Sequence, residues 1–340
     1  MTAETAVDSP PVTTLRMVKA INHTLDLLLE RDERVFLLGE DIVDPGGGAM
    51  QATAGLSTKY GTQRIRETPI SEQAIIGAAT GAALAGMRPI AEIMIMDFYA
   101  VCLDQLVNHA AKLNYMSGGR TPVPLTVRGT ATGGLQFGAQ HSQMLETWMV
   151  HTPGLKVVVP STPADAKGLL ASCVADDNPC VFVEMASLYS RKGDVPLDYY
   201  EIPLGVADVK RNGSDVTVVT YGRQVHDALK AAEALAGEID IEVVDLRTLE
   251  PLDEATVLES VAKTRRAVIV HQAVERSGFG AELAAQLQLE LWGQLESPVL
   301  RVAGKNAPIP YAANLERLHM PSVEDVVNAC RRACKEASNV

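Results

Sequence analysis

Glu72 stands in "ETPISEQAIIGAATGAALAG", residues 67–86, where a polar turn gives way to a long run of small apolar residues. A carboxylate at such a point can serve in two ways. In the first turn of a surface helix it answers the positive end of the helix dipole. Shut into a dry site it becomes a catalytic acid, because burial favours its protonated form. Ser71 is of the type that caps a helix start. Nine of the thirteen residues from Ala74 to Gly86 are Ala or Gly. Each glycine costs a helix about 0.5–1 kcal/mol relative to alanine. Three of them predict close packing against another backbone that offsets the loss.

A second cluster able to do chemistry is "GAQHSQMLETW", residues 138–148. His141, Ser142 and Gln143 follow a glycine-rich loop that could press against a ligand or simply be a capped turn. His109 and His226 fall in helical patterns and read as packing or solvated positions. The loops "GGLQFGAQ" and "SGFGAE" lack the strand, glycine triplet, helix and later acid of a dinucleotide fingerprint, and read as turns. There is no GxxxxGK[ST], HExxH, paired CxxC or GxSxG, so phosphate-loop, zinc and serine-hydrolase chemistry lack their usual signatures.

These residues need a scaffold, and the chain has the means to build one. It has 340 residues, 47% hydrophobic and 21% charged, which suggests two domains, each with a real core. The net charge of -12 argues against nucleic acid or an anionic membrane as partner. No apolar run reaches the roughly 18–20 residues needed to span a bilayer. The N-terminus lacks the basic and apolar regions of a signal peptide. Cys102, Cys173, Cys180, Cys330 and Cys334 are sparse and odd in number, which fits a reducing cytoplasm.

A flexible tail is expected over 1–14, and a helix from Leu15 to Glu30. "RVFLLGED", "RPIAEIMIMDF", "PVPLTVRGT", "GLKVVVPST" and "CVFVEM" read as strands, with "DPGGGAMQATAG" a flexible loop. Helices are expected over "VCLDQLVNHAAKLNYMSGG", ended by Gly118–Gly119, and over "PADAKGLLASCVA", capped by Ser161 or Thr162. Residues 191–205 read as a linker between a domain over 15–190 and a smaller one over 206–340. The second carries four strands, "DVTVVTYG", "IEVVDLR", "RAVIVHQ" and "PVLRVAG", with helices between them and a closing helix capped by Ser322. Strand–helix alternation predicts an α/β fold of two doubly wound domains built on mostly parallel sheets.

"ETPISE", "RPIAEIMIMDF", "LDQLVNHAAKLNYMSGG", "AQHSQML", "PGLKVVVPSTPADAKGLL", "DNPCVFVE" and "VVDLRTLEPLD", taken in order, resemble the β subunit of the thiamine-diphosphate-dependent 2-oxo acid dehydrogenase component. That family includes pyruvate, branched-chain and acetoin dehydrogenases. The resemblance runs from about Thr13 onward, and implies a pyrimidine-binding transketolase-like domain followed by a C-terminal one.

It implies roles residue by residue. Glu72 would be the carboxyl that hydrogen-bonds the cofactor's aminopyrimidine ring, and Phe98 the aromatic that packs on it. His141 would handle protons and aid acyl transfer to a lipoyl group. A structural potassium ion would be held by Leu125, Cys173, Val174, Asp176 and Asn178, mostly through carbonyls. The magnesium-holding GDG motif is absent from the sequence. Magnesium and the diphosphate would therefore be held by an α partner, in a tetramer of two α and two β chains that serves a lipoyl acyltransferase. A split transketolase or deoxyxylulose-phosphate-synthase-like subunit, acting on sugars, and a non-catalytic assembly protein of the same fold are the rival readings.

Overall fold

The computed structural model describes residues 12–48 and 50–336. Most of the tail expected over 1–14 lies outside the described residues. The remainder, from Val12, is the start of strand β1 (Val12–Arg16), which leads into the helix Met17–Arg31.

The strands of the first half are β2 (Val35–Gly39), β3 (Ile65–Glu67), β4 (Arg88–Ile95), β5 (Thr126–Ala131), β6 (Lys156–Val158), β7 (Cys180–Met185) and β8 (Lys192–Pro196). Those of the second half are β9 (Asp208–Arg211), β10 (Val216–Thr220), β11 (Ile241–Asp245), β12 (Thr248–Glu250), β13 (Ala267–Val274) and β14 (Leu300–Gly304). The first half forms a sheet of order β12-β6-β7-β5-β4-β2-β3, parallel except for β12. The second forms β14-β13-β10-β11-β9, parallel except for β9. Every residue of β2, β5, β7, β10 and β11 is buried, as expected of parallel strands covered on both faces.

Several features depart from the expectations, and β3 at the edge of the first sheet is one of them. The segment read as a linker contains β8, which pairs antiparallel with β1 in a two-stranded ribbon. The second sheet gains an antiparallel edge strand, β9, beyond the four expected. Strand β12, from the second half of the chain, completes the first sheet beside β6. The two halves are therefore interlocked rather than strung on a tether.

The described parts of the expected loop, 44–48 and 50–55, are tied down instead of free. The Asp44 carboxylate accepts hydrogen bonds from the Gly55 amide and from Ser57 and Thr58. Asn22 donates to the Ala52 and Ala54 carbonyls. The helix expected after residue 100 forms in three pieces, Tyr99–Leu103, a π-helical stretch Asp104–Ala110, and Ala111–Met116. His109 reaches back 3.5 Å to Asp104, five residues before it, a spacing that the wider turn brings into line. Thr162, not Ser161, caps the helix Pro163–Ala175 by accepting the Asp165 amide. Ser161 instead donates to the buried Asp245.

Candidate active site

The carboxyl ends of the parallel strands of the first sheet point to one edge, where open α/β sheets form their ligand crevices. Glu40 follows β2 there, Asp97 and Phe98 follow β4, and β3 feeds the turn that starts the helix Glu72–Leu84.

Glu72 opens that helix and is only 8% exposed. Ser71 occupies the N-cap position but its side chain makes no capping bond. The Ser71 amide instead donates to Glu40, whose pKa is raised by burial and further by the neighbouring Glu72 charge. The two acids thus interact electrostatically at the sheet edge. Among the described residues the Glu72 carboxylate has no hydrogen-bond or ion-pair partner. Burial, with the Glu72 charge adding to it, also pushes the Cys102 thiol up to about 12.

The glycines of this helix do not face the core of their own chain. Ile75, Ile76, Ala79 and Ala83 form its buried side, while Ala74, Gly77, Ala78 and Gly81 are exposed. A Cβ added at Gly81 would meet nothing within 4 Å, and one at Gly77 only the Gln105 side chain at 3.7 Å, with no backbone near either. The expected close packing on the glycine face is therefore not made within this chain, and the smooth surface is turned outward.

Phe98 and His141 meet edge to face, their ring centroids 5.3 Å apart and their planes at 85°. Both are half-buried. Thr132 donates to the His141 carbonyl. Asp97 fixes the histidine loop against the aromatic: its Oδ1 accepts the Gln143 amide at 3.2 Å and the Gln143 side-chain amide at 2.8 Å. Sequence reasoning missed Glu40 and Asp97. Each is an acid just past a buried parallel strand, and that placement was the available signal.

The five residues expected around a cation lie at the C-terminal end of the helix Pro163–Ala175, where unpaired carbonyls favour positive charge. The chain's own cations are already there. Arg88 Nη1 donates to the carbonyls of Val174, Ala175 and Asp176 at 2.9, 3.3 and 3.1 Å, and Lys156 pairs with the Asp176 carboxylate. The Leu125 carbonyl accepts the Cys180 amide. Asn178 donates from its side chain to Asp176 and accepts from Asn114. Cys173 is buried beside them. Glu72, Phe98 and His141 are thus gathered at one edge, and this cluster stands apart at a helix end.

The donor set at the edge suits an aminopyrimidine. A carboxylate with no other partner can bind a ring nitrogen, and the Phe98–His141 pair lies at the same edge of the sheet. Residues 13–192 match the transketolase pyrimidine-binding domain family, and residues 205–326 the transketolase C-terminal domain family. The chain is 46% identical to the acetoin:2,6-dichlorophenolindophenol oxidoreductase subunit beta of Cupriavidus necator, over 93% of this chain and 96% of that protein. It is 42% identical to the Bacillus subtilis protein of the same name, over 92% and 95%. It is also 42% identical to the pyruvate dehydrogenase E1 component subunit beta of Rhizobium meliloti, over 94% and 70%. A solved structure described as a split gene transketolase, inactive beta4 tetramer, superposes with a TM-score of 0.78 at 22% identity, over 95% of this chain and 99% of that one. The chain belongs to the transketolase-like family of dehydrogenase β subunits whose members include the acetoin oxidoreductase and pyruvate dehydrogenase E1 beta subunits.

Proposed function

We propose that this chain supplies the pyrimidine half of a thiamine-diphosphate site in a 2-oxo acid or acetoin dehydrogenase component, and that it works only when joined to an α subunit. The observation that carries this reading is Glu72, a buried residue without a hydrogen-bond partner among the described residues, at the head of a helix on the sheet edge that also bears the Phe98–His141 pair. When bound, the cofactor would supply an electron sink for the acyl fragment taken from the substrate. The chain's own residues bind, orient and move protons. Glu72 holds the aminopyrimidine by a charge-assisted hydrogen bond. Glu40 lies close enough for its pKa to be raised by the Glu72 charge. Phe98 packs on the ring. His141 is the proton carrier at the substrate side, a task that suits imidazole.

The absence of a GDG motif supports an α partner that holds magnesium and the diphosphate, in a tetramer of two α and two β chains. The outward Ala/Gly face of the Glu72 helix is the surface we assign to close subunit contact. A lipoyl acyltransferase completes the pathway of the acyl group. A potassium ion at the end of the helix Pro163–Ala175 would share its carbonyls with Arg88, and a melting temperature raised by potassium but not by sodium would support it. Free cysteines, four of them buried, fit the reducing cytoplasm. No described helix is long and apolar enough to cross a membrane.

Reconstitution tests the reading. The purified chain should be inactive alone. With the α chain, thiamine diphosphate and magnesium it should oxidise acetoin or a 2-oxo acid and acylate lipoyl groups. Turnover of sugar phosphates in preference to these substrates would favour the transketolase reading. Strong activity of the isolated chain would refute the shared site.

A further inference from the structure

The loop that carries His141 follows β5 and begins with a turn of unusual backbone. Gly134, Gln136 and Gly138 all have positive φ, at 91°, 62° and 78°. Gln136 has a side chain, so this conformation is uncommon for it and persists only where the surroundings hold it. What holds it comes from the second half of the chain. Glu316, on the helix Ala313–His319, is only 3% exposed. Its Oε1 accepts the Gly134 amide at 2.9 Å, and its Oε2 accepts the Gln136 amide at 3.1 Å. Backbone amides of a tight turn form a concavity suited to an anion, and here the anion is the chain's own carboxylate. Among the described residues, every hydrogen bond of the Glu316 side chain goes to this turn.

The helix is itself seated. His319 Nε2 donates to the Ala307 carbonyl at 2.8 Å, and the His319 carbonyl accepts the Lys305 amide at 3.0 Å. The far end of the loop is fixed from the first half, where Asp97 accepts both amides of Gln143. His141 lies between these two fastenings, and its ring meets that of Phe98, the residue after Asp97.

We propose that Glu316 is a positioning residue: from the second half of the chain it sets the turn 134–136, and through it the place of the His141 imidazole. This rests on the reading of His141 as the proton carrier. A carboxylate bonds backbone amides more strongly than a neutral acceptor does, which suits a fastening that holds a strained turn. Misplacing a reacting group by about 1 Å can cost about 10²-fold in rate, so a remote fastening of this kind acts on turnover.

Kinetics of the assembled α–β protein with thiamine diphosphate and magnesium test the proposal, on acetoin or pyruvate, whichever is turned over. Glu316→Gln keeps the size but replaces one acceptor oxygen by a donor. It should lower kcat by about ten- to a hundredfold and leave KM within about twofold. His141→Ala should lower kcat at least as far. Adding Glu316→Gln to it should cost no more than about twofold further, because the fastening then has nothing to position. Additive losses in the double variant, or an unchanged kcat in a Glu316→Gln protein of normal melting temperature, would overturn the proposal. Hydrogen exchange tests the fastening apart from the chemistry. In the unaltered protein the Gly134 and Gln136 amides should exchange at least about tenfold more slowly than that of Phe137, which has no partner among the described residues. Equal exchange at the three amides would overturn the proposal even if no variant folds. Slow exchange at 134 and 136 together with a normal kcat in His141→Ala would refute the reading of His141; the fastening would stand, and the positioning role of Glu316 would fall.

Discussion

Glu72 is a carboxylate whose setting matters more than its type. Its neighbour Glu40 registers the pairing, since burial and the Glu72 charge both raise the Glu40 pKa. Glu72→Gln removes that charge, so Glu40 should ionise more readily and titrate closer to the ordinary carboxylate range. Carbon-13 NMR of labelled glutamates would follow it, and an unmoved Glu40 would break the pairing. Phe98→Ala should weaken cofactor binding while leaving the fold intact, with the loss of an edge-to-face contact worth about 0.5–1.5 kcal/mol. The residue types at 72 and 141 were legible in the sequence because each stood at a boundary between a loop and an apolar run. Glu40 and Asp97 were not, because an acid after a buried strand looks like any strand-ending turn until the facing helix is in place.

Helices and strands set these residues, and the Glu72 helix shows how an element can be half-read. Its Ala and Gly content predicted close packing, but composition does not say on which side. The buried side is the Ile–Ala stripe, and the glycines face out. Gly81→Leu should therefore be tolerated by the isolated chain, with a gain in helix propensity of about 0.5–1 kcal/mol. The same change should block assembly with the α chain, read by size-exclusion chromatography. A second element carries a pH signal. In the short helix Glu146–Val150, Glu146 is fully buried and accepts a 2.7 Å hydrogen bond from Tyr221, just after β10. Burial raises its pKa from 4.5 to about 7. Between these values the folded chain holds a proton that the unfolded chain has lost, so stability falls as pH rises through this window. This difference corresponds to roughly 3 kcal/mol. Glu146→Gln should flatten the dependence of the urea midpoint on pH between 5 and 8. A wild-type midpoint that does not fall over this range would contradict the assignment.

The whole molecule is two parallel-sheet layers that share strands and charges. Continuous apolar runs made nine of the strands readable. The β1–β8 ribbon was not, because its burial is partial and its sequence mixes Gly, Pro and charge. Strand β12 was hidden in three residues beside a proline. Arg247, just ahead of it, pairs at 2.7 Å with Asp165 of the first half, and Lys210 reaches the same carboxylate at 2.9 Å. Calorimetry should accordingly show one cooperative transition for the chain. Arg247→Ala should lower its stability by about 1–3 kcal/mol through the loss of a charged partner to a buried carboxylate. Two separate transitions would mean that the halves fold independently. The most direct measurement of the central claim is turnover by Glu72→Gln in the α–β complex loaded with thiamine diphosphate and magnesium. Loss of one positioned proton-transfer group is expected to cost about 10²–10⁴-fold in kcat, with the melting temperature and assembly unchanged. Near-normal turnover by that variant would contradict the assignment of Glu72 as the group that readies the cofactor.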